Sequence, residues 1–262
     1  MYPYIKIFNK EFASYGIMAL IGILLMGVYV VKNAEKKGYN EVSTLMCLFC
    51  VALGSFLGAH ILYFITNFHN FIALVKNITV LNSIKKIFSA LAILFGGWVF
   101  YGGLIGGIIA VIIYCKLHKY KTLDFLNVCA PGIALFHFFG RIGCFLAGCC
   151  YGIESHIGFT FHHSEIPMAN DVKRFPIQLV ESCYCLCLFI LLNYLLKKTR
   201  YKDITAYLYL VLYPIGRFIF EFFRGDDYRG FLWIFSTSQW ISLILFIIGV
   251  VGIIKNRKKV VK

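Results

Sequence analysis

Charge is what this sequence has least of. Asp, Glu, Lys and Arg make up 15% of its 262 residues, against about 25% in an ordinary soluble domain. Apolar types reach 60%, and mean hydropathy is +0.77. That balance excludes a soluble globular protein, a disordered chain and a small disulfide scaffold. Long polar linkers, internal repeats and soluble domains are missing too, so one domain over 1–262 is the simplest organisation. There is no P-loop, dinucleotide fingerprint or H-E-x-x-H motif, so no nucleotide and no cofactor is expected. The first apolar run is not a cleavable signal peptide, because its core is too long and no small-residue cleavage site follows it. What remains is an all-α polytopic membrane bundle, with room for about seven spans at about 20 residues per crossing.

Apolar stretches of near-spanning length predict helices at Phe12–Val31, Val42–Ile65, Ile87–Cys115, Leu123–Phe139, Ile177–Leu196, Tyr207–Phe223 and Thr237–Ile254. Pro131 and Gly132 interrupt the fourth, where bundled neighbours would satisfy the freed backbone groups. The net charge of +14 would suggest nucleic acid in a soluble protein. Here the basic residues sit in short clusters between apolar runs, as membrane flanks do, and no nucleic acid is expected. Lys32, Lys36 and Lys37, then Lys116, Lys119 and Lys121, then Lys197, Lys198, Arg200 and Lys202, then Lys255, Arg257, Lys258, Lys259 and Lys262 all fall inside if the N-terminus is outside. Lys76, Lys85 and Lys86 argue the other way. With the N-terminus out, Gly140–Pro176 is a polar loop on the outer face, as is Arg224-Gly-Asp-Asp-Tyr-Arg229. Chemistry there would use lipid and secreted substrates.

An ionisable side chain at mid-span costs about 2.5–3.5 kcal/mol on insertion scales. Arg217 and Glu221 nevertheless lie inside the sixth apolar run. Tyr213, Arg217 and Glu221 recur every four residues and so share one helix face. They read either as a self-neutralising pair or as a cationic site for a lipid phosphate, with Glu221 orienting the guanidinium. Arg141 stands in Phe139-Gly-Arg-Ile-Gly-Cys-Phe-Leu-Ala-Gly-Cys-Cys-Tyr-Gly152, where four glycines let the backbone bend and approach a ligand. A solvated arginine at a helix end would account for Arg141 but not for the glycines. Gly96-Gly-Trp-Val-Phe-Tyr-Gly-Gly-Leu-Ile-Gly-Gly107 reads as close helix packing, or as the Tyr101 phenol beside a thin wall at Gly102 and Gly103.

In this order, these blocks resemble the prolipoprotein diacylglyceryl transferase family. Its members are seven-span bacterial membrane enzymes that move a diacylglyceryl group from phosphatidylglycerol to a lipobox cysteine thiol, releasing glycerol phosphate. Phe100-Tyr-Gly-Gly-Leu-Ile-Gly106 is similar to the family's Phe-His-Gly-Gly-Leu-Ile-Gly, and Gly140-Arg-Ile-Gly143 to the start of its Gly-Arg-Ile-Gly-Asn-Phe signature. Phe175-Pro-Ile-Gln-Leu-Val-Glu181 resembles its His-Pro-x-Gln-Leu-Tyr-Glu segment. Arg217-Phe-Ile-Phe-Glu-Phe-Phe-Arg224 resembles its Arg-Phe-x-x-Glu-Phe-Phe-Arg run, and Ser238-Gln239 its Gly-Gln pair. The departures are Tyr101 for the family histidine, Cys144 for the asparagine, Cys149 for an acidic residue and His60 for an arginine. The phosphate-binding arginines are kept, and the residues nearest proton transfer are changed.

The resemblance implies phosphatidylglycerol, a prolipoprotein lipobox peptide and membrane lipids as partners, at the outer face of the bacterial inner membrane. Displacing phosphate from the glyceryl carbon requires that the leaving charge be held and that the incoming thiol become a thiolate. Arg141 and Arg217 are the candidates for the phosphate, Glu221 for holding Arg217, and Arg224 for added charge near the interface. Tyr213, Gly102, Gly103, Gly143, Cys144 and His60 complete the candidate substrate contacts. Tyr101, with an ordinary pKa of about 10, is the candidate base if nearby arginines favour its phenolate, with His60 the alternative.

Ten cysteines open a second reading, a membrane thiol–disulfide oxidoreductase or a transferase with another acceptor. Cys144, Cys149 and Cys150 cluster in sequence. They read as packing residues, like Cys183, Cys185 and Cys187, as a disulfide, or as a metal or catalytic group. No four-ligand spacing is present, although His137, His162 and His163 are not far off, and no metal is expected.

Overall fold

The computed structural model describes residues 2–7, 9–76, 94, 97, 99–226 and 230–260. Its helices are α1 Ser14–Glu35, α2 Glu41–Thr66, α3 Phe68–Lys76, α4 Phe100–Leu117, α5 Thr122–Ala147, α6 Ile177–Leu196, α7 Thr205–Phe220 and α8 Thr237–Val260. Six are long and apolar enough to cross a membrane, α7 being counted through a 3-10 turn at Glu221–Phe223, and Tyr101–Leu117 is a shorter apolar helix. The protein is therefore a mostly helical, multi-pass membrane protein. Exposed large apolar side chains run along the helices, as at Leu20, Ile23 and Leu24 of α1 or Ile105, Ile109 and Ile113 of α4. In water such faces would be a liability; against lipid tails they are the ordinary outer surface.

Three antiparallel hairpins lie outside the spans: β1 Tyr4–Ile7 with β2 Lys10–Ala13, β3 Glu154–Thr160 with β4 Lys173–Arg174, and β5 Phe231–Leu232 with β6 Phe235–Ser236. Asn9 and Trp233 take the positive φ (59° and 61°) that the first and third turns require.

Contacts gather into two units, one of residues 1–37 with 123–262, the other of residues 38–122. In the first, Ala130 and Ala134 of α5, Leu188 and Leu192 of α6, and Ala206 and Tyr209 of α7 form an apolar core. Small residues let the helices close. A Cβ at Gly132 would meet Met26 and Val30 of α1, and one at Gly143 would meet Tyr15 and Met18. Polar ties are few and directed. Tyr29 donates to Asn193 Oδ1 (3.0 Å), Tyr184 to the Leu212 carbonyl (2.6 Å), and the Ala206 N–H at the start of α7 to the buried Asn127 Oδ1 (2.8 Å). That last bond caps a helix terminus whose donors cannot reach water.

The second unit is α2 packed on α4, with α3 following α2. Asn40 caps α2, its Oδ1 accepting from Val42 N (2.8 Å). Gly54 and Gly58 of α2 face Gly102 and Gly106 of α4, and a Cβ at any of the four would strike backbone of the opposite helix. This is a small-xxx-small seam on both partners. Close packing, one of two readings of the Gly96–Gly107 stretch, is therefore how Gly102 and Gly106 are used.

Two expectations need correction. The fourth span does not end at Phe139: α5 runs unbroken through Pro131, Gly132 and Arg141 to Ala147. Gly140–Pro176 is accordingly not all loop. Arg141, Gly143 and Cys144 are helical, and Gly148 (φ +74°) turns the chain after the helix ends. Of the third predicted span, residues 87–93, 95, 96 and 98 lie outside the described residues, as do Lys85, Lys86 and Arg229.

The α2–α4 seam yields a prediction. Gly102→Ala, whose methyl would land on the Gly58 carbonyl oxygen, should cost roughly 1–3 kcal/mol, as overpacking does elsewhere. The loss should appear as a lower apparent Tm in detergent. Gly27→Ala, where nothing lies within 4 Å, should leave Tm unchanged.

Candidate functional site

All charged residues of the site lie in the first unit, at one end of its helices. Arg141 stands near the end of α5, Glu181 in the second turn of α6, Arg217 and Glu221 at the end of α7, and Ser236 and Ser238 at the start of α8. Their side chains converge. Glu181 is 4% exposed, and its carboxylate is shared: Oε2 pairs with Arg141 Nε, and Oε1 accepts from Arg217 Nη1 at 3.0 Å. Arg217 Nη2 reaches Glu221 Oε2 at 2.7 Å and Ser238 Oγ at 3.4 Å. Arg224 lies 4.0 Å from the same Glu221 oxygen and is gripped by Asp226, at 2.9 Å from Nε and 2.5 Å from Nη2.

Three arginines thus face three carboxylates, which keeps so much charge affordable at the edge of a membrane. The network is not saturated. Among the described residues both Nη groups of Arg141 lack a protein partner, although they can donate up to four hydrogen bonds. A small cavity of about 10 Å³ lies there, lined by Arg141, Glu181, Tyr184, Cys185, Tyr213, Arg217 and Phe220. Tyr213 stacks on Tyr209 (5.4 Å between ring centres) and lies 4.7 Å from the His137 ring. Buried guanidinium donors around a small opening are suited to an anion with several oxygens.

The segment after α5 closes the site on its other side. Ile153 N donates to the Phe223 carbonyl (3.0 Å) and Gly225 N to the Tyr151 carbonyl (2.9 Å), so residues 151–153 run beside 223–225. Buried Arg174 holds this region, donating to the Gly152, Ala169 and Met168 carbonyls with its guanidinium over the Tyr151 ring. A Cβ at Gly152 would collide with the Phe175 carbonyl. Gly152 therefore serves chain packing, as Gly143 does against α1.

Cys144, one turn beyond Arg141, meets Cys149 and Cys150, with the three sulfurs within 4.8 Å of one another. All ten cysteines are free thiols. Hydrogen bonds from Cys144 and Cys149 hold the Cys150 thiol below its usual pKa, with Arg224 and Arg141 adding to the effect, while bonds with Cys144 and Cys150 push Cys149 up. At Arg224 burial opposes the charge, but the bond to Asp226 outweighs it, so its pKa is raised. The histidines near in sequence do not join the cluster: His137 contacts the Tyr209 hydroxyl (3.2 Å) and His162 contacts Asp171 (2.9 Å).

Of the residues picked from sequence, Arg141, Cys144, Tyr213, Arg217, Glu221 and Arg224 come together, with Gly143 on the same helix. Tyr101, Gly102, Gly103 and His60 belong to the second unit. There Gly102 and Gly103 are buried against α2, and the His60 ring lies 4.4 Å from Phe56. Glu181 and Asp226 were missed. Glu181 carried its own signal, an acid inside an apolar run, the same argument that singled out Arg217. Asp226 had none, since its partner two residues away is a matter of local turn geometry.

The fold and this network define a multi-pass membrane protein with an arginine–carboxylate network at one end of the first unit's helices. The family described as prolipoprotein diacylglyceryl transferase matches residues 3–255. A phosphatidylglycerol--prolipoprotein diacylglyceryl transferase of Clostridium tetani is 36% identical over 247 residues, covering 94% of this chain and 93% of the relative. A second, from Clostridium perfringens, is 34% identical over 97% of this chain and 96% of its own. One from Finegoldia magna is 29% identical over 98% and 96%. The chain belongs to the prolipoprotein diacylglyceryl transferase family.

Glu181 is the test of the network. Glu181→Gln leaves two largely buried guanidinium groups without their shared anion and should cost about 3–5 kcal/mol, read as a fall in apparent Tm in detergent. Glu165→Gln, which removes only an exposed contact to Tyr4, should not.

Proposed function

We propose that this protein transfers a diacylglyceryl group from phosphatidylglycerol to the thiol of a lipobox cysteine in prolipoproteins, releasing glycerol phosphate. The observation that carries the reading is the pair Arg141 and Arg217 joined through Glu181, with Arg141 donors left over beside a small cavity. A phosphodiester carries one negative charge, and its departure as a monoester leaves two. Fixed guanidinium donors aimed at the developing charge stabilise the transition state more than the ground state. Glu181 and Glu221 hold the guanidinium groups in place beforehand. Arg224, gripped by Asp226, adds positive potential where Gly152 and Gly225 approach.

On the acceptor side Tyr101 is the proposed proton acceptor, because it stands where the family has its histidine, and His60 is the alternative. Gly102, Gly103, Gly143, Cys144 and Tyr213 are the proposed substrate neighbours. Residues 1–262 act as one membrane domain, since the first unit is made of chain from both sides of the second. The site's helix ends lie opposite the clusters Lys32–Lys37 and Lys197–Lys202 of the same unit, which supports an outward-facing site in the bacterial inner membrane. No cofactor is invoked for the phosphate half. The relatives' names lend nothing to a thiol–disulfide oxidoreductase.

The test is purified protein with phosphatidylglycerol vesicles and a lipobox peptide, read by peptide mass. A diacylglyceryl adduct is expected. Arg141→Ala should lower its rate about 10²–10³-fold, as removal of a charge-stabilising donor does in other enzymes. Tyr101→Phe should slow transfer while phosphatidylglycerol binding holds. Absence of both adduct and lipid binding would sink the reading.

A further inference from the structure

We propose that Cys144, Cys149 and Cys150 form a three-thiolate site for a thiophilic d10 cation of the zinc type, whose open fourth position takes the acceptor thiol. This rests on the transferase reading above and supplies its acceptor half.

The geometry comes first. Zn–S bonds of about 2.3 Å put the sulfurs of a tetrahedral site roughly 3.8 Å apart. The three sulfurs here already lie within 4.8 Å of one another, the one group of three or more metal-ligating side chains among the described residues. Backbone builds the cluster. Cys144 closes the last turns of α5, Gly148 reverses the chain at φ +74°, Cys149 N bonds back to the Cys144 carbonyl (3.1 Å), and Cys150 sits at φ +52°, a conformation non-glycine residues rarely adopt. Gln178, 1% exposed on α6, donates to the Cys149 carbonyl at 2.9 Å and ties the turn to the helix that carries Glu181.

Charge and hydrogen bonding agree with an occupant. Three thiolates and a dication sum to one negative charge, and two cations flank the cluster in the chain: Arg141 one turn before Cys144 on α5, and Arg224 bridged to Gly152, two residues beyond Cys150. The carbonyl oxygen of Gln178 is buried without a partner among the described residues. Three protein ligands with a water in the fourth place is the pattern of catalytic rather than structural zinc.

The chemistry then balances without a redox step. The acceptor thiol displaces the water and binds as thiolate, its proton leaving through water to the Tyr101 phenolate, the acceptor proposed above. The thiolate sulfur donates its electron pair to the glyceryl carbon, forming the C–S bond. The C–O bond to phosphate breaks with its pair going to oxygen. Thiolate and phosphodiester, one negative charge each, become a neutral thioether and a doubly charged phosphate monoester, which Arg141 and Arg217 face. A coordinated thiolate does not require a strong base, which fits a tyrosine where the family has a histidine.

The test uses full-length protein in detergent, reduced, stripped with a chelator and titrated with Co(II) as a visible stand-in for zinc. One cobalt per chain and a thiolate-to-cobalt charge-transfer band are expected. Cys150→Ser and Cys149→Ser should abolish the band, and Cys183→Ser and Cys187→Ser, exposed on α6, should keep it. A lipobox peptide should shift the band, and its Cys→Ser counterpart should not. A band that survives Cys150→Ser, no band at all, or a band the peptide leaves unmoved overturns the proposal. Transfer undiminished by chelation overturns it too, yet leaves the transferase reading standing. No transfer with or without zinc, in protein that shows the peptide-sensitive band, supports the cation site and sinks the transferase reading instead.

Discussion

One carboxylate organises the functional end of this protein. Glu181 is shared between Arg141 on α5 and Arg217 on α7 and so ties three helices through a single buried anion. In a low-dielectric setting the alternatives are poor. Either guanidinium alone, or Glu181 alone, would be an uncompensated charge. Glu221 and Asp226 extend the same logic to Arg224. The result is a rigid, nearly neutral network whose leftover donors belong to Arg141. An anion binding there meets groups already oriented, so little reorganisation accompanies its arrival.

Elsewhere the structure rests on closeness more than on charge. Lipid tails are as apolar as leucine, so burying apolar surface gives little drive for one helix to prefer another. Van der Waals contact must do it, and that requires backbones to approach. Gly54 and Gly58 against Gly102 and Gly106 achieve this in the second unit, and Gly132 and Gly143 against α1 in the first. The same residue type serves a different purpose at Gly148, where the chain must turn with positive φ, and at Gly152, where only a bare backbone fits beside Phe175. A dense run of glycines near a reactive residue is thus not evidence of ligand contact by itself.

The helices were legible because a membrane demands long apolar runs, and such runs have few competing interpretations. Ile177–Leu196 is recovered to the residue. The end of α5 was misplaced because Pro131 and the glycines around Arg141 lower local helix propensity, which the packing of α1 overrides. Arg217 and Glu221 stood out as charges in an apolar helix, and Glu181 could have been found by the same rule. Arg174 could not: among the lysines and polar residues of an extramembrane segment, nothing distinguishes an arginine that will be buried holding three carbonyls.

Sequence by itself determined that this chain crosses the membrane repeatedly, which family its motifs belong to, and which arginines are too costly to be accidental. Each of those follows from composition or from short local patterns. Only the tertiary structure decided that Arg141 and Arg217 share Glu181, that Arg224 is held by Asp226, and that three sulfurs spread over seven residues of chain meet within a few ångströms. Those pairings depend on where helix ends stop and how a turn closes. Spacing along the chain does not encode them, because the partners come from different helices and meet only when the bundle packs.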